Sequence, residues 1–164
     1  MFKVVTLNVR GLNPPKLDLI SDVFTRERLD FICIQETMVS DPNSQEALAK
    51  RWKGPSFWAP ASGRRGGVAI LCSPRQSDNV SVWQKDTGGR LLSILISLQN
   101  LKINLVNIYA PTNPTERKNF FQSISSFVFP NSRLIIAGDF NSYDSALDKM
   151  GGSVSIDAHF SELK

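Results

Sequence analysis

The chain has 164 residues, 41% hydrophobic and 21% charged, enough to bury one continuous core and unlike a disordered or low-complexity protein. A net charge of +4 and a pI near 9.3 permit an anionic partner without requiring one. Two cysteines do not make a disulfide framework or a zinc site; Cys33 and Cys72 each lie inside an apolar run and read as reduced core residues, and no run of ~18 apolar residues marks a membrane span.

From the N-terminus, residues Phe2 to Asn8 read as a buried strand, with no targeting segment before it. Asn13-Pro14-Pro15 starts a helix on which Leu17, Ile20 and Phe24 recur through about Arg28, and Asp30 to Glu36 is a second apolar strand. Asn43 with Glu46 three residues later caps a short helix toward Trp52. Five short strands follow at 57–61, 67–72, 80–84, 91–98 and 102–109, spaced as antiparallel neighbours joined by hairpins. Asn113-Pro114-Thr115-Glu116 opens another helix carrying Phe120, Ile124, Phe127 and Val128, and Arg133 to Asp139 is a last buried strand. Asn141 to Ser155 is loop-like, and Ile156, Phe160 and Leu163 begin an amphipathic helix. Basic residues bunch at Lys50, Arg51, Lys53 and at Arg64, Arg65, within a surface of mixed sign. Strands apolar on both faces with interleaved helices predict a layered α/β arrangement around a sheet pair.

Four polar motifs sit at the ends of apolar runs: Thr6-Leu7-Asn8, Gln35-Glu36-Thr37, Asn107-Ile108-Tyr109-Ala110-Pro111 and Gly138-Asp139-Phe140-Asn141. Strand ends in a layered α/β protein converge on one rim, so these side chains can share a site. Glu36 ends a greasy strand, where a carboxylate is costly to desolvate unless a cation or donor meets it. Magnesium suits it, because it takes one or two protein carboxylates and completes its shell with water and phosphate oxygens. An extended chain puts Asp139 and Asn141 on one side, with Phe140 turned into packing. Asp139 can then deprotonate or orient a water, and Asn141 can donate to a phosphoryl oxygen. Each also has a plainer reading: Glu36 as a strand-end cap, Asp139 and Asn141 as an Asx turn, Tyr109 as a rim residue, Asn8 as a turn residue.

In this order the motifs resemble the endonuclease/exonuclease/phosphatase superfamily. Asn-Ile-Tyr-Ala-Pro, with Gly66-Gly67-Val68-Ala69-Ile70-Leu71 before it, looks most like the apurinic-type endonuclease domain of non-LTR retrotransposons, the long interspersed elements. The resemblance implies a DNase I-like four-layered α/β sandwich over residues 1–164. It implies Glu36 as metal ligand with Asn8 beside it, Tyr109 on the phosphate, Asp139 on the nucleophilic water and Asn141 at the phosphorus. The reaction implied is hydrolysis of a DNA phosphodiester that depends on Mg²⁺, with Mn²⁺ as a substitute. In this subgroup the enzyme nicks target DNA. The partner implied is DNA, with no membrane and no small-molecule cofactor, for a monomer that works in the nucleus.

The family also carries a Ser/Thr-containing strand and a terminal Asp-His after Gly-Asp-Phe-Asn. Asp157-Ala158-His159 does not reproduce that pair, and His159 reads as a helix-surface residue. The expectation is a C-terminally truncated domain, lacking its last strands, with weak or no activity. An abasic-site repair endonuclease shares all four motifs and is the alternative enzyme. A relic that at most binds DNA is the alternative of another class.

Overall fold

The computed structural model describes residues 2–63 and 65–142. Arg64, the loop beyond Ser142, the amphipathic helix of Ile156, Phe160 and Leu163, and Asp157-Ala158-His159 lie outside the described residues. Elements appear in the order β1 (Val4–Asn8), α1 (Pro14–Arg26), β2 (Phe31–Gln35), α2 (Pro42–Arg51), β3 (Ser56–Ala59), β4 (Val68–Cys72), β5 (Val80–Lys85), β6 (Leu91–Leu98), β7 (Leu101–Tyr109), α3 (Pro114–Ser123) and β8 (Arg133–Asp139).

The helix starts follow side-chain chemistry. Asn13 accepts from Lys16 N–H and Asn113 from the Thr115 and Glu116 N–H groups, each ahead of a proline that has no amide to satisfy. At α2 the cap is Asp41 rather than Asn43: its carboxylate takes the Asn43 and Ser44 amides, and Pro42 follows. A charged acceptor directly before proline outcompetes the capping box two residues on. Helix α1 ends earlier than expected, because Arg28 turns into the left-handed region (φ 52) and Leu29 N–H reaches back to Phe24 O. The last helix stops at Ser123 and continues as a 3₁₀ turn over Ile124–Phe127.

The strands divide by sequence into two four-stranded sheets, β1-β2-β4-β3 and β5-β6-β7-β8. In the first, β1 and β2 are parallel and β2, β4 and β3 antiparallel; in the second, β5, β6 and β7 are antiparallel and β7 and β8 parallel. Three apolar cores separate four layers. Leu17, Phe24 and Leu48 of the first two helices pack on Ile32, Ile34, Ala69 and Leu71. Phe31, Cys33, Ile70 and Cys72 face Leu92, Ile94, Ile96 and Leu105 across the sheet pair. Val106 and Ile108 meet Phe121 and Ile124 on the far side. The result is the four-layered α/β sandwich expected, with both cysteines free and buried. Among the described residues no helix is long and apolar enough to cross a membrane.

Polar side chains tie the two sheets together at one end. Asn107 of β7 is fully buried and donates to the backbone carbonyls of Ile34 (3.0 Å) and Ala69 (2.9 Å) in the opposite sheet. Its oxygen accepts from the buried Gln35 amide at 2.6 Å. Such bonds are strong where water is excluded and costly to leave unmade.

Candidate active site

Parallel pairing decides where the polar strand ends meet. Asn8 lies opposite Gln35 in the first sheet, and Tyr109 lies opposite Asp139 in the second. Both pairs therefore finish on the same rim, and the Asn107–Gln35 bridge holds the two rims face to face.

Asn8 is at the centre. Its Nδ2 donates to Glu36 Oε1 at 2.8 Å and to Asp139 Oδ2 at 2.9 Å, joining residues 131 positions apart. Its Oδ1 accepts the Arg10 amide at 3.2 Å. One nitrogen in contact with both oxygens places the two carboxylates within about 6 Å of each other, where like charges at a half-wet rim repel by roughly 3 kcal/mol. Two shared hydrogen bonds contribute about 1.5–3 kcal/mol each at most, against desolvation of both groups. A cation set between the two carboxylates would relieve that repulsion. Among the described residues no group of three His, Cys, Asp or Glu forms a cage. Two carboxylates with an amide beside them suit a hard, hydrated cation such as magnesium rather than zinc.

Tyr109 stands beside Asp139 on the same rim. Burial first, then the neighbouring Glu36 carboxylate, push its phenol above the ordinary value. The Arg90 guanidinium lies over its ring at 5.1 Å from the centroid.

Asn141 reaches the same rim by a turn. The chain does not run on extended past Asp139: Asn141 adopts φ 46, its N–H donates to Asp139 Oδ1 at 3.0 Å, and its Nδ2 donates to the Ala110 carbonyl at 2.7 Å. The Asx turn forms because a two-residue return satisfies the Asp139 carboxylate at short range. Phe140 packs toward Phe121, as its position in the motif implies. Gly138 has φ 140, and a side chain there would collide with the Ile108 carbonyl, so glycine is what lets β8 close on β7 beside the site.

Backbone strain gathers here as well. Arg10 (φ 46), Glu36 (φ 52), Met38 (φ 55) and Asn141 are left-handed non-glycine residues in the rim loops, each costing on the order of 1 kcal/mol or more and held by the surrounding structure. Lys16 Nζ fastens the first of these loops through the carbonyls of Val9 (2.7 Å), Arg10 (3.3 Å) and Gly11 (2.8 Å).

All five residues named from the sequence thus stand on one rim. Two features escaped it: the inter-sheet bridge made by Gln35 and Asn107, and Arg90. Arg90 is found only through register, since Leu91 pairs with Ile108 and so sets Arg90 beside Tyr109.

Residues 5–153 match the Endonuclease/Exonuclease/phosphatase family. The chain is 30% identical over 142 residues to the transposon TX1 uncharacterized 149 kDa protein of Xenopus laevis, covering 84% of this chain and 11% of that protein. It is 26% identical over 145 residues to craniofacial development protein 2 of Bos taurus, covering 83% and 23%. The fold is similar to an AP endonuclease from Archaeoglobus fulgidus (TM-score 0.69, 22% identity, 92% of this chain and 62% of that one). It is equally similar to NExo, a 3′ phosphatase from Neisseria bound to product DNA hairpin (TM-score 0.70, 17% identity, 90% and 61%). The chain therefore spans less than two thirds of each of these proteins.

Proposed function

The chain belongs to the endonuclease/exonuclease/phosphatase family, and from that premise we propose that it is a metal-dependent phosphodiester hydrolase that nicks DNA, of the retrotransposon type. One observation carries the reading: Asn8 holds Glu36 and Asp139 together at the junction of two sheets, a carboxylate pair in need of a cation. The transposon relative supports the retroelement form, and the net charge of +4 suits a polyanionic substrate.

Glu36, with Asn8 beside it, would hold Mg²⁺, for which Mn²⁺ can substitute. When bound, the ion supplies Lewis-acid stabilisation of charge on the phosphate and the leaving oxygen. Asp139 accepts the proton of the attacking water, and the Asx turn fixes the carboxylate that does so. Tyr109 donates its phenolic O–H to a phosphate oxygen. Asn141 donates to the phosphoryl oxygens as charge builds in the transition state, exchanging its bond to Ala110 O for the substrate.

The experiment is nicking of supercoiled plasmid by the purified chain with Mg²⁺ or Mn²⁺. Nicking that EDTA abolishes, and that Glu36→Gln and Asp139→Asn both remove, is the expected result. Salt-sensitive retention of DNA with no nicking under either metal would overturn it. An abasic duplex in parallel separates the repair reading, which requires cleavage there and an intact plain plasmid.

A further inference from the structure

We propose that Arg90 is a positioning residue, holding the Tyr109 ring in place on the rim that carries Glu36 and Asp139. The consequence for catalysis rests on the hydrolase reading above, whereas the positioning does not.

Arg90 is fixed before it touches Tyr109. Asp86 Oδ1 accepts the backbone N–H groups of Arg90 (2.9 Å) and Leu91 (3.0 Å), and its Oδ2 accepts that of Gly88 (3.2 Å), so one carboxylate sets the whole turn. Gly89 (φ 66) lies so close to the Pro60 carbonyl that no side chain fits, which locks the turn against the loop before β4. From this base the Arg90 carbonyl accepts Tyr109 N–H at 2.8 Å. The guanidinium Nη1 donates back to the Tyr109 carbonyl at 3.2 Å and covers the ring.

The ring needs such a partner. Tyr109 ends its strand at an open rim and is only half-buried, with the inter-sheet core packed against it. A planar guanidinium stacks on the ring while donating in-plane, which an ammonium cannot do as well.

The test has a structural and a kinetic arm. Tyr143 is the other tyrosine, so Tyr143→Phe protein grown with 3-fluorotyrosine reports on Tyr109 alone by ¹⁹F NMR. Arg90→Met is expected to move or broaden the resonance by more than its linewidth, Arg90→Lys less, and Arg75→Met, at the opposite end of the first sheet, not at all. An unmoved resonance in folded Arg90→Met or Arg90→Lys protein overturns the proposal. In the nicking assay Arg90→Met should lower kcat about tenfold with KM within about twofold, and added to Tyr109→Phe it should cost no more than about twofold further. Losses that simply multiply, together with a raised KM, would assign Arg90 to direct phosphate contact and overturn it. A moved resonance in a chain that cuts no DNA supports the positioning while rejecting the hydrolase reading.

Discussion

Glu36 and Asp139 carry the largest expected single-residue effects. Glu36→Gln keeps the shape and the acceptor for Asn8 but removes the charge that calls for a cation, so nicking should fall by roughly 10²–10³ or more while the melting temperature holds or rises. Mn²⁺ binding followed by electron paramagnetic resonance should weaken in the same variant. Cys33 and Cys72 make a second residue-scale prediction. Burial holds the Cys33 thiol far above its usual range and pushes Cys72 up to about 12 from 9.0. The unfolded thiols ionise near pH 9 while the folded ones stay protonated, so this stability is full below pH 9 and is lost as pH rises toward 12. The loss should approach about 1.4 kcal/mol per pH unit for each thiol, read from melting temperature against pH and reduced in Cys72→Ala. Both thiols should resist a thiol reagent at pH 8 until the protein unfolds.

At the scale of elements, the inter-sheet bridge decides whether the strand ends stay in register. Asn107→Ala would remove both bonds to the carbonyls of the opposite sheet and one acceptor of the Gln35 amide, which keeps Thr6 Oγ1 and Cys33 O, a loss of about 1–3 kcal/mol seen in urea denaturation. Asp41→Ala, a lost cap on α2, should cost only about 0.5–2 kcal/mol and leave nicking unchanged. How far the sequence could be read follows from the range of each interaction. Two-residue alternation, proline-preceded caps and strand-end polar motifs are local, so Leu91–Leu98 and Arg133–Asp139 match their predicted bounds, and the site residues were named from their strand ends. Competition between two local signals misassigned the α2 cap. The Asx turn at Asn141 is local and is the plainer of the two readings of that motif, whereas the Asn107 bridge and the place of Arg90 depend on partners far along the chain or on pairing register, which no pattern within one segment encodes.

For the whole molecule, charge and edges matter most. A net charge of +4 predicts DNA retention that weakens steeply with salt, measurable by fluorescence anisotropy from 50 to ~200 mM. The strands β1 and β8 are sheet edges among the described residues, and Val5 (36%), Leu7 (44%) and Leu134 (44%) are exposed on them. Unpaired edges with apolar side chains associate, so Val5→Lys should reduce light scattering at high protein concentration without altering the fold seen by circular dichroism.

Because one sheet is made wholly from residues before Ser73 and the other from residues after Asn79, the candidate site has a seam that coincides with a single linker. A protein split there would hand Asn8 and Glu36 to one polypeptide and Tyr109, Asp139 and Asn141 to the other. Neither fragment could be half-active, and reconstitution would have to proceed through recognition of one greasy sheet face by another. Complementation between fragments would then report, in a single signal, on sheet docking and on chemistry.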